Sequence, residues 1–297
     1  MKRRSFLAST SSLIVPILAR EGSSDWSFGV ITDIQYADVD PEGERHYRSS
    51  LNKLDAIVAH LRSQNLSFTL HLGDLIDRSA ASFAPVLKVL DRLPHPCHHL
   101  LGNHDYSLEE SEKCHVTSRL RMPHDYYVLY RLGWRIIMLD TNAISTYKNP
   151  ALSPETQQAT AFLEKARQQQ LANAVPWGGA CGKAQMAWLT RELNAAQAQG
   201  DKVILCGHHP LLPADPHQLW DSTEMLALLR PFSCVKAWFN GHNHAGSYVI
   251  HEGIHCVTFC SVLHEPKVHA AAVITLFADH MLIQGFGREP SRQLTFR

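Results

Sequence analysis

Residues 98–105 read His-His-Leu-Leu-Gly-Asn-His-Asp, an apolar strand end that breaks at Gly102 into three side chains able to hold a metal or carry a proton. Four more stretches share that form. Val30-Ile-Thr-Asp-Ile-Gln35 ends in Asp33 to Gln35, and Leu70-His-Leu-Gly-Asp74 ends in Gly73 and Asp74. Ile204-Leu-Cys-Gly-His-His-Pro210 and Trp238-Phe-Asn-Gly-His-Asn-His244 close on His208 and His209 and on His242 and His244. Loops at strand ends are where α/β folds gather function, and glycine is expected to let the chain turn just before each polar group.

Outward from these clusters, apolar runs of strand length alternate with helical patterns, which predicts an α/β fold. Strands are predicted at 27–34, 67–72, 98–101, 126–131, 135–140, 202–206, 235–240, 247–251, 253–260 and 271–277, with hairpins at Leu132-Gly133 and Glu252-Gly253. Helices are predicted around Leu51 to Leu61, at 154–171, at 182–199 capped by Gly200, and at 217–230. Hairpins among alternating strands and helices imply mixed sheets. No repeat or linker divides the chain, so residues 21–297 are expected to form one domain.

The composition narrows the function. With 28 basic and 28 acidic side chains in 297 residues, the chain lacks the cationic excess of a nucleic-acid binder. Mean hydropathy is −0.17, and no apolar run after residue 20 reaches the roughly 18 residues needed to span a bilayer. The 19 histidines against 7 cysteines point to imidazole chemistry, not to a disulfide framework. Cys256 and Cys260, as strand residues four apart, would sit about 13 Å from each other, beyond disulfide reach. Residues 1–20 carry Lys2, Arg3 and Arg4 ahead of a mostly apolar stretch and read as an export signal of twin-arginine type, giving a periplasmic or extracellular protein, with a cytoplasmic one as the alternative. Cleavage after Ala19 would leave 25 basic against 28 acidic groups. An anionic substrate must then be held by local charge and not by the global field.

Carboxylates and amide oxygens suit Mn²⁺ or Mg²⁺, imidazoles suit Mn²⁺, Fe or Zn²⁺, and two cations side by side need a shared carboxylate. A two-metal hydrolase site accounts for all five clusters. In order, DIQ, GD, GNHD, GHHP and GHNH resemble the calcineurin-like metallophosphoesterases, whose pattern is Asp-x-His, Gly-Asp, Gly-Asn-His-Asp/Glu, Gly-His and Gly-His-x-His. The resemblance narrows to the manganese-dependent ADP-ribose/CDP-alcohol diphosphatases through Phe28 to Asp38, Arg45 to Leu51 and Trp177 to Leu189, and in that group Gln35 is the expected residue. Asp105, where the group more often has Glu, and the segment Val262 to Pro266 depart from it.

The resemblance implies a four-layer αββα sandwich of two mixed β-sheets. It also implies two divalent ions, Mn²⁺ first and Mg²⁺, Fe or Zn²⁺ as alternatives. Asp33, Asp74 and His244 would hold one ion, with Gln35 offering an amide oxygen beside them. Asp74, Asn103, His208 and His242 would hold the other. His104 would sit beside the scissile phosphate, and Asp105 would orient it by a hydrogen bond. The implied reaction is cleavage of the diphosphate bond in nucleoside diphosphate-linked small molecules by a metal-bound hydroxide. A broader phosphodiesterase or monoesterase acting on cyclic nucleotides or phospholipid headgroup esters, and an inactive metal-bound binding module, are the alternatives. Arg45, Tyr47, Arg48 and His209 are candidate substrate contacts, since they follow the metal loops directly, although a helix face and a turn are their ordinary uses. Trp177, Gly178 and Gly179 read as a loop with exposed amides, and His71 as a packed residue.

Overall fold

Side chains on successive strand residues alternate between faces, and this alternation sorts the apolar residues of the second half of the chain into two separate cores. Ile136 and Met138, Ile204 and Cys206, and Ala237 and Phe239 join one core, whereas Ile137 and Leu139, Val203 and Leu205, and Trp238 join another. The computed structural model describes residues 25–296; the export signal read at residues 1–20 lies outside the described residues.

The chain runs β1 (Trp26–Ile31), α1 (Ser50–Arg62), β2 (Thr69–Leu72), α2 (Phe83–Leu90), β3 (Cys97–Leu100), α3 (Glu110–Lys113), α4 (Val116–Arg119), β4 (Tyr127–Arg131) and β5 (Trp134–Met138). It continues through α5 (Pro154–Gln168), α6 (Gly182–Gln199), β6 (Lys202–Cys206), α7 (Ser222–Leu229), β7 (Val235–Asn240), β8 (Ser247–His251), β9 (Ile254–Thr258), β10 (Ala270–Leu276), β11 (His280–Gly287) and β12 (Arg292–Thr295). Two six-stranded sheets result, in the orders β12-β11-β10-β1-β2-β3 and β4-β5-β6-β7-β9-β8. In the first, β1, β2 and β3 are parallel and β10 to β12 antiparallel. In the second, β5, β6, β7 and β9 are parallel, and β4 and β8 are antiparallel edges.

The two sheets share the larger core, which also takes Leu54, Ile57, Val58 and Leu61 of α1. Their spacing puts all four on one helix face. On the far side of the second sheet, Leu189, Leu193 and Ala196 of α6 and Met225 and Leu229 of α7 cover Ile137, Leu205 and Trp238. The order helix, sheet, sheet, helix is the expected αββα sandwich of mixed sheets.

Both expected hairpins form. Leu132 and Gly133 have φ of 44° and 79°, and Glu252 and Gly253 have 48° and 87°, the double positive φ of the type I′ turn. The helix expected from His217 begins only at Ser222, because the amides of Leu219 and Trp220 bond to Pro210 and Gly179 instead of to a helical turn. Strands β11 and β12 and helix α2 go beyond the sequence reading. Cys256 lies in the outer core and the Cys260 sulfur faces the Ala245 carbonyl, 3.4 Å away. No helix among the described residues is long and apolar enough to cross a membrane.

Candidate metal centre

The five polar clusters meet at one place because each follows the C-terminal end of a parallel strand. Asp33, Asp74 and Asn103 follow β1, β2 and β3 of the first sheet, His208 follows β6, and His242 and His244 follow β7 of the second. A glycine makes the turn as expected at Gly73, with φ of 94°, but most of the turns are made by the polar residues. Asp33, Gln35, Asp74 and His242 themselves occupy the left-handed region, with φ of 50°, 43°, 58° and 67°. Such strain costs about 1–3 kcal/mol per residue and persists where surrounding contacts enforce it. Gly102 serves close approach, since a Cβ there would lie 2.1 Å from Asp74 Oδ1, and one at Gly241 would lie 2.3 Å from Asp33 Oδ2.

His208 donates from Nδ1 to the Leu72 carbonyl at 2.8 Å, which turns Nε2 inward toward Asp74. That Nε2 is 3.2 Å from Asp74 Oδ2 and 3.2 Å from His242 Nδ1. The three residues offer ligand atoms within 4.8 Å of one another, all buried. Gln35 Nε2 donates to the same Asp74 Oδ2 at 2.9 Å and lies 3.1 Å from His244 Nε2, which is itself 3.4 Å from Asp33 Oδ1. Gln35 thus presents its nitrogen, not the expected oxygen, to the centre. Asp74 attracts the donor end of the amide, and Oε1 accepts from Arg45 Nη1 at 3.3 Å. A half-turn of the amide would exchange them.

Asp33 Oδ1 and Asn103 Oδ1 are buried without a hydrogen-bond partner, as is His242 Nε2. A buried acceptor left unpaired costs about 1–3 kcal/mol, a cost that a cation would remove. The donors are oxygen and imidazole nitrogen with no thiolate, a set that fits Mn²⁺, Mg²⁺, Fe or Zn²⁺. The residues therefore fit two divalent ions around Asp74. Their electrostatics agree. Burial opposes charge on Asp74, yet His208 and His104 hold its carboxyl well below the usual range. Burial opposes the His208 imidazolium as well, but Asp74 and Asp33 push its pKa up to about 9.

His104 and Arg45 line a cavity of about 350 Å³ together with Asp74, Asn103, Trp177, His217, His242 and His244. Arg45 Nη1 is 3.4 Å from His104 Nε2, and Asp77 Oδ2 is 3.1 Å from His104 Nδ1, within ion-pair distance but poorly aligned for a hydrogen bond. Burial lowers the proton affinity of His104, and Asp74 and Asp77 more than reverse that. The model of the calcineurin-like phosphoesterase family matches residues 27–246, which include every one of these ligands.

The chain belongs to the calcineurin-like phosphoesterases. It is 31% identical to the manganese-dependent ADP-ribose/CDP-alcohol diphosphatase of Oryza sativa subsp. japonica, over 91% of this chain and 94% of that one. The Homo sapiens protein of the same name is 26% identical over 92% and 93%. A crystallised dimetal phosphatase from Danio rerio superposes with a TM-score of 0.85 at 25% identity, covering 92% of this chain and 99% of its own. As a member of this family, the chain is a metal-dependent phosphoric ester hydrolase.

Other expected contacts of this calcineurin-like phosphoesterase lie elsewhere. Asp105 does not touch His104: its two oxygens accept from the amides of Asp74, Leu75, Ile76 and Gly102, at 2.8–3.3 Å, and so brace the Asp74 loop. Asp77, which no motif marked, takes the place beside His104. Tyr47 is buried with Ala37 and Leu263, and its hydroxyl accepts from Arg78. Arg48 turns to solvent and pairs with Asp38 and Asp40 at 2.6 and 2.8 Å. His209 spends both ring nitrogens on Thr141 Oγ1 and the Trp177 carbonyl, so neither is left for a substrate. His71 packs against His99, with 3.3 Å between their Nδ1 atoms. His217 reaches the cavity because its segment is loop and not helix, a placement that helical periodicity had hidden.

Proposed function

We propose that the site holds two divalent ions, Mn²⁺ by preference, and cleaves the diphosphate bond of nucleoside diphosphate-linked compounds such as ADP-ribose and CDP-alcohols. The observation that carries this reading is Asp74 Oδ2 shared by the His208 and Gln35 side chains, with His242 against His208, and His244 against both Gln35 and Asp33. The names of relatives that match nearly end to end supply the substrate class. Bound ions supply charge neutralisation for the phosphates and a water acidic enough to react near neutral pH.

The chain's own groups do the rest. His208 keeps its Nδ1 proton on the Leu72 carbonyl, so the proton on Nε2 is the one given up when this ring serves as a ligand. Arg45 binds a non-bridging phosphate oxygen in the cavity, and His104 directs Nε2 toward the leaving oxygen. Asp77 keeps the opposite nitrogen of that ring protonated. Water adds to one phosphorus and loses a proton to solvent, the bridging P–O bond breaks, and its electron pair leaves with the bridging oxygen on the second phosphate. That leaving group is stable as an anion, so charge stabilisation matters more than proton delivery.

A substrate panel with Mn²⁺ tests the reading. Release of a nucleoside monophosphate from ADP-ribose supports it, turnover of para-nitrophenyl esters alone supports a broader phosphoesterase, and inactivity throughout supports a binding module. Export through residues 1–20 belongs to the same proposal and is supported by Lys2, Arg3 and Arg4 ahead of an apolar stretch. N-terminal sequencing of exported material tests it; an intact Met1 there would contradict processing.

A further inference from the structure

Every residue lining the cavity over the metal centre except Trp177 carries an ionisable or amide side chain. Arg45, Asp74, Asn103, His104 and the histidines address phosphate and metal, and Trp177 alone among the described lining residues offers a broad carbon face. At 43% exposure it is also one of the few large apolar side chains left open. A volume of about 350 Å³ is at the small end of the ~300–1,000 Å³ typical of small-molecule sites. A nucleoside diphosphate derivative would fill a cavity of that size, and Trp177, which lines it while open to solvent, is placed to meet the part that extends outward.

The loop that presents Trp177 is fixed in place. Its carbonyl accepts from His209 Nε2 at 3.2 Å, and His209 is anchored through Nδ1 to Thr141 Oγ1 at 2.8 Å, with its ring 4.4 Å from that of His242. Behind it, Gly179 accepts from the Trp220 amide at 2.9 Å, and a Cβ at Gly178 would lie 2.2 Å from Trp220 Nε1. The indole is thus exposed on a backbone pinned from two directions, one of them the metal-ligand loop. Little ordering entropy is left for a ligand to cost.

We propose that Trp177 is the stacking platform for the nucleobase and sets the preference for nucleotidyl substrates over ring-free ones. This rests on the proposed diphosphatase reading. Every base has a π-face, so the platform tolerates adenine and cytosine alike, and it discriminates by the presence of a ring and not by its edge. Base stacking on an aromatic side chain is worth ~1–3 kcal/mol, which at 1.4 kcal/mol per tenfold is about 5- to 140-fold in affinity.

The test is calorimetric titration of the Mn²⁺-loaded full chain with AMP, with ribose 5-phosphate and with phosphocholine, for the wild type, Trp177→Ala and Trp177→Phe. The expected result is tighter binding of AMP than of ribose 5-phosphate by the wild type, loss of that advantage in Trp177→Ala, and recovery of most of it in Trp177→Phe. Equal affinities in the wild type, an AMP affinity that Trp177→Ala leaves intact, or a Trp177 effect confined to phosphocholine would each overturn the assignment. Cleavage of ADP-ribose is scored separately. A chain that binds AMP through Trp177 yet cuts no diphosphate keeps the platform and loses the proposed reaction, whereas cleavage with an unchanged KM in Trp177→Ala loses the platform alone.

Discussion

His104 stands between Asp77 at one ring nitrogen and Arg45 at the other. Against the pull of burial and Arg45, Asp74 and Asp77 favour the protonated ring, and that ring has a proton to give from Nε2 once Arg45 turns to a phosphate. A positioned general acid contributes about 10²–10⁴-fold. His104→Ala should show a loss of that order on an alkyl phosphate monoester and a smaller one on ADP-ribose, whose leaving group needs no proton. Equal losses on the two would remove the acid role. Asp105 makes a different forecast. Its carboxylate accepts from four backbone amides, so Asp105→Asn turns an NH₂ toward N–H groups and should cost on the order of 3 kcal/mol, read by thermal unfolding of the metal-free chain. Sequence made the ligand residues legible because every cluster closes a strand and four of the five carry their own glycine. It did not separate Asp77 from Asp105, since both lie a few residues from a ligand and only the folded loops decide which carboxylate meets the imidazole. Arg45, Tyr47 and Arg48 illustrate the same limit: at neighbouring positions, one reaches the cavity, one the core and one solvent.

At the scale of elements, hairpins and strand ends were readable from turn residues and apolar runs, because those signals are local. Helix α7 was misplaced by a turn or more, because its first expected residues are claimed by bonds to the Pro210 and Gly179 carbonyls, which no local pattern announces. One consequence sits at its start. Asp221 accepts from the amides of Cys181 and Gly182 at 3.3 and 3.0 Å and so caps the N-terminus of α6 from a distant segment. Asp221→Ala should cost about 1 kcal/mol. Burial pushes the Asp221 pKa up to about 6 against the opposing pull of those two amides. Because the folded value is above the unfolded one, near 4, this group's stabilising contribution is full below pH 4 and is lost as pH rises through about 6. The difference in unfolding free energy between wild type and Asp221→Asn, followed from pH 4 to 7, should change in that sense.

Across the whole molecule, the αββα order followed from the alternation of strands and helices together with the resemblance, whereas β11 and β12, which widen the first sheet, lacked a pattern strong enough to mark them. Another buried group binds the long loops together. Lys148 donates to Asp140 at 2.5 Å and to Asp125 at 2.7 Å, and Asp140 is almost wholly buried. Lys148→Met leaves that carboxylate without its counter-charge and should destabilise by about 3–5 kcal/mol in thermal or denaturant unfolding. Chelation offers a global measurement. Ligand linkage at a metal concentration a hundred times its dissociation constant adds about 2.7 kcal/mol for each of two ions, so EDTA should lower Tm by roughly 10 °C, with Mn²⁺ restoring it.

Asp33, Asp74 and Asn103 hang from one sheet, and His208, His242 and His244 from the other. Ions gripped by both sets would act as rivets through a laminate, and their grip would report how squarely the two plates are stacked. Shaving Ile136, which lies in the seam but on a strand that carries no ligand, should therefore loosen manganese from a distance. An equal shaving of Leu193 on the outer plate should weaken the chain and spare the rivets. A molecule assembled this way senses slip between its halves as a change in metal hold.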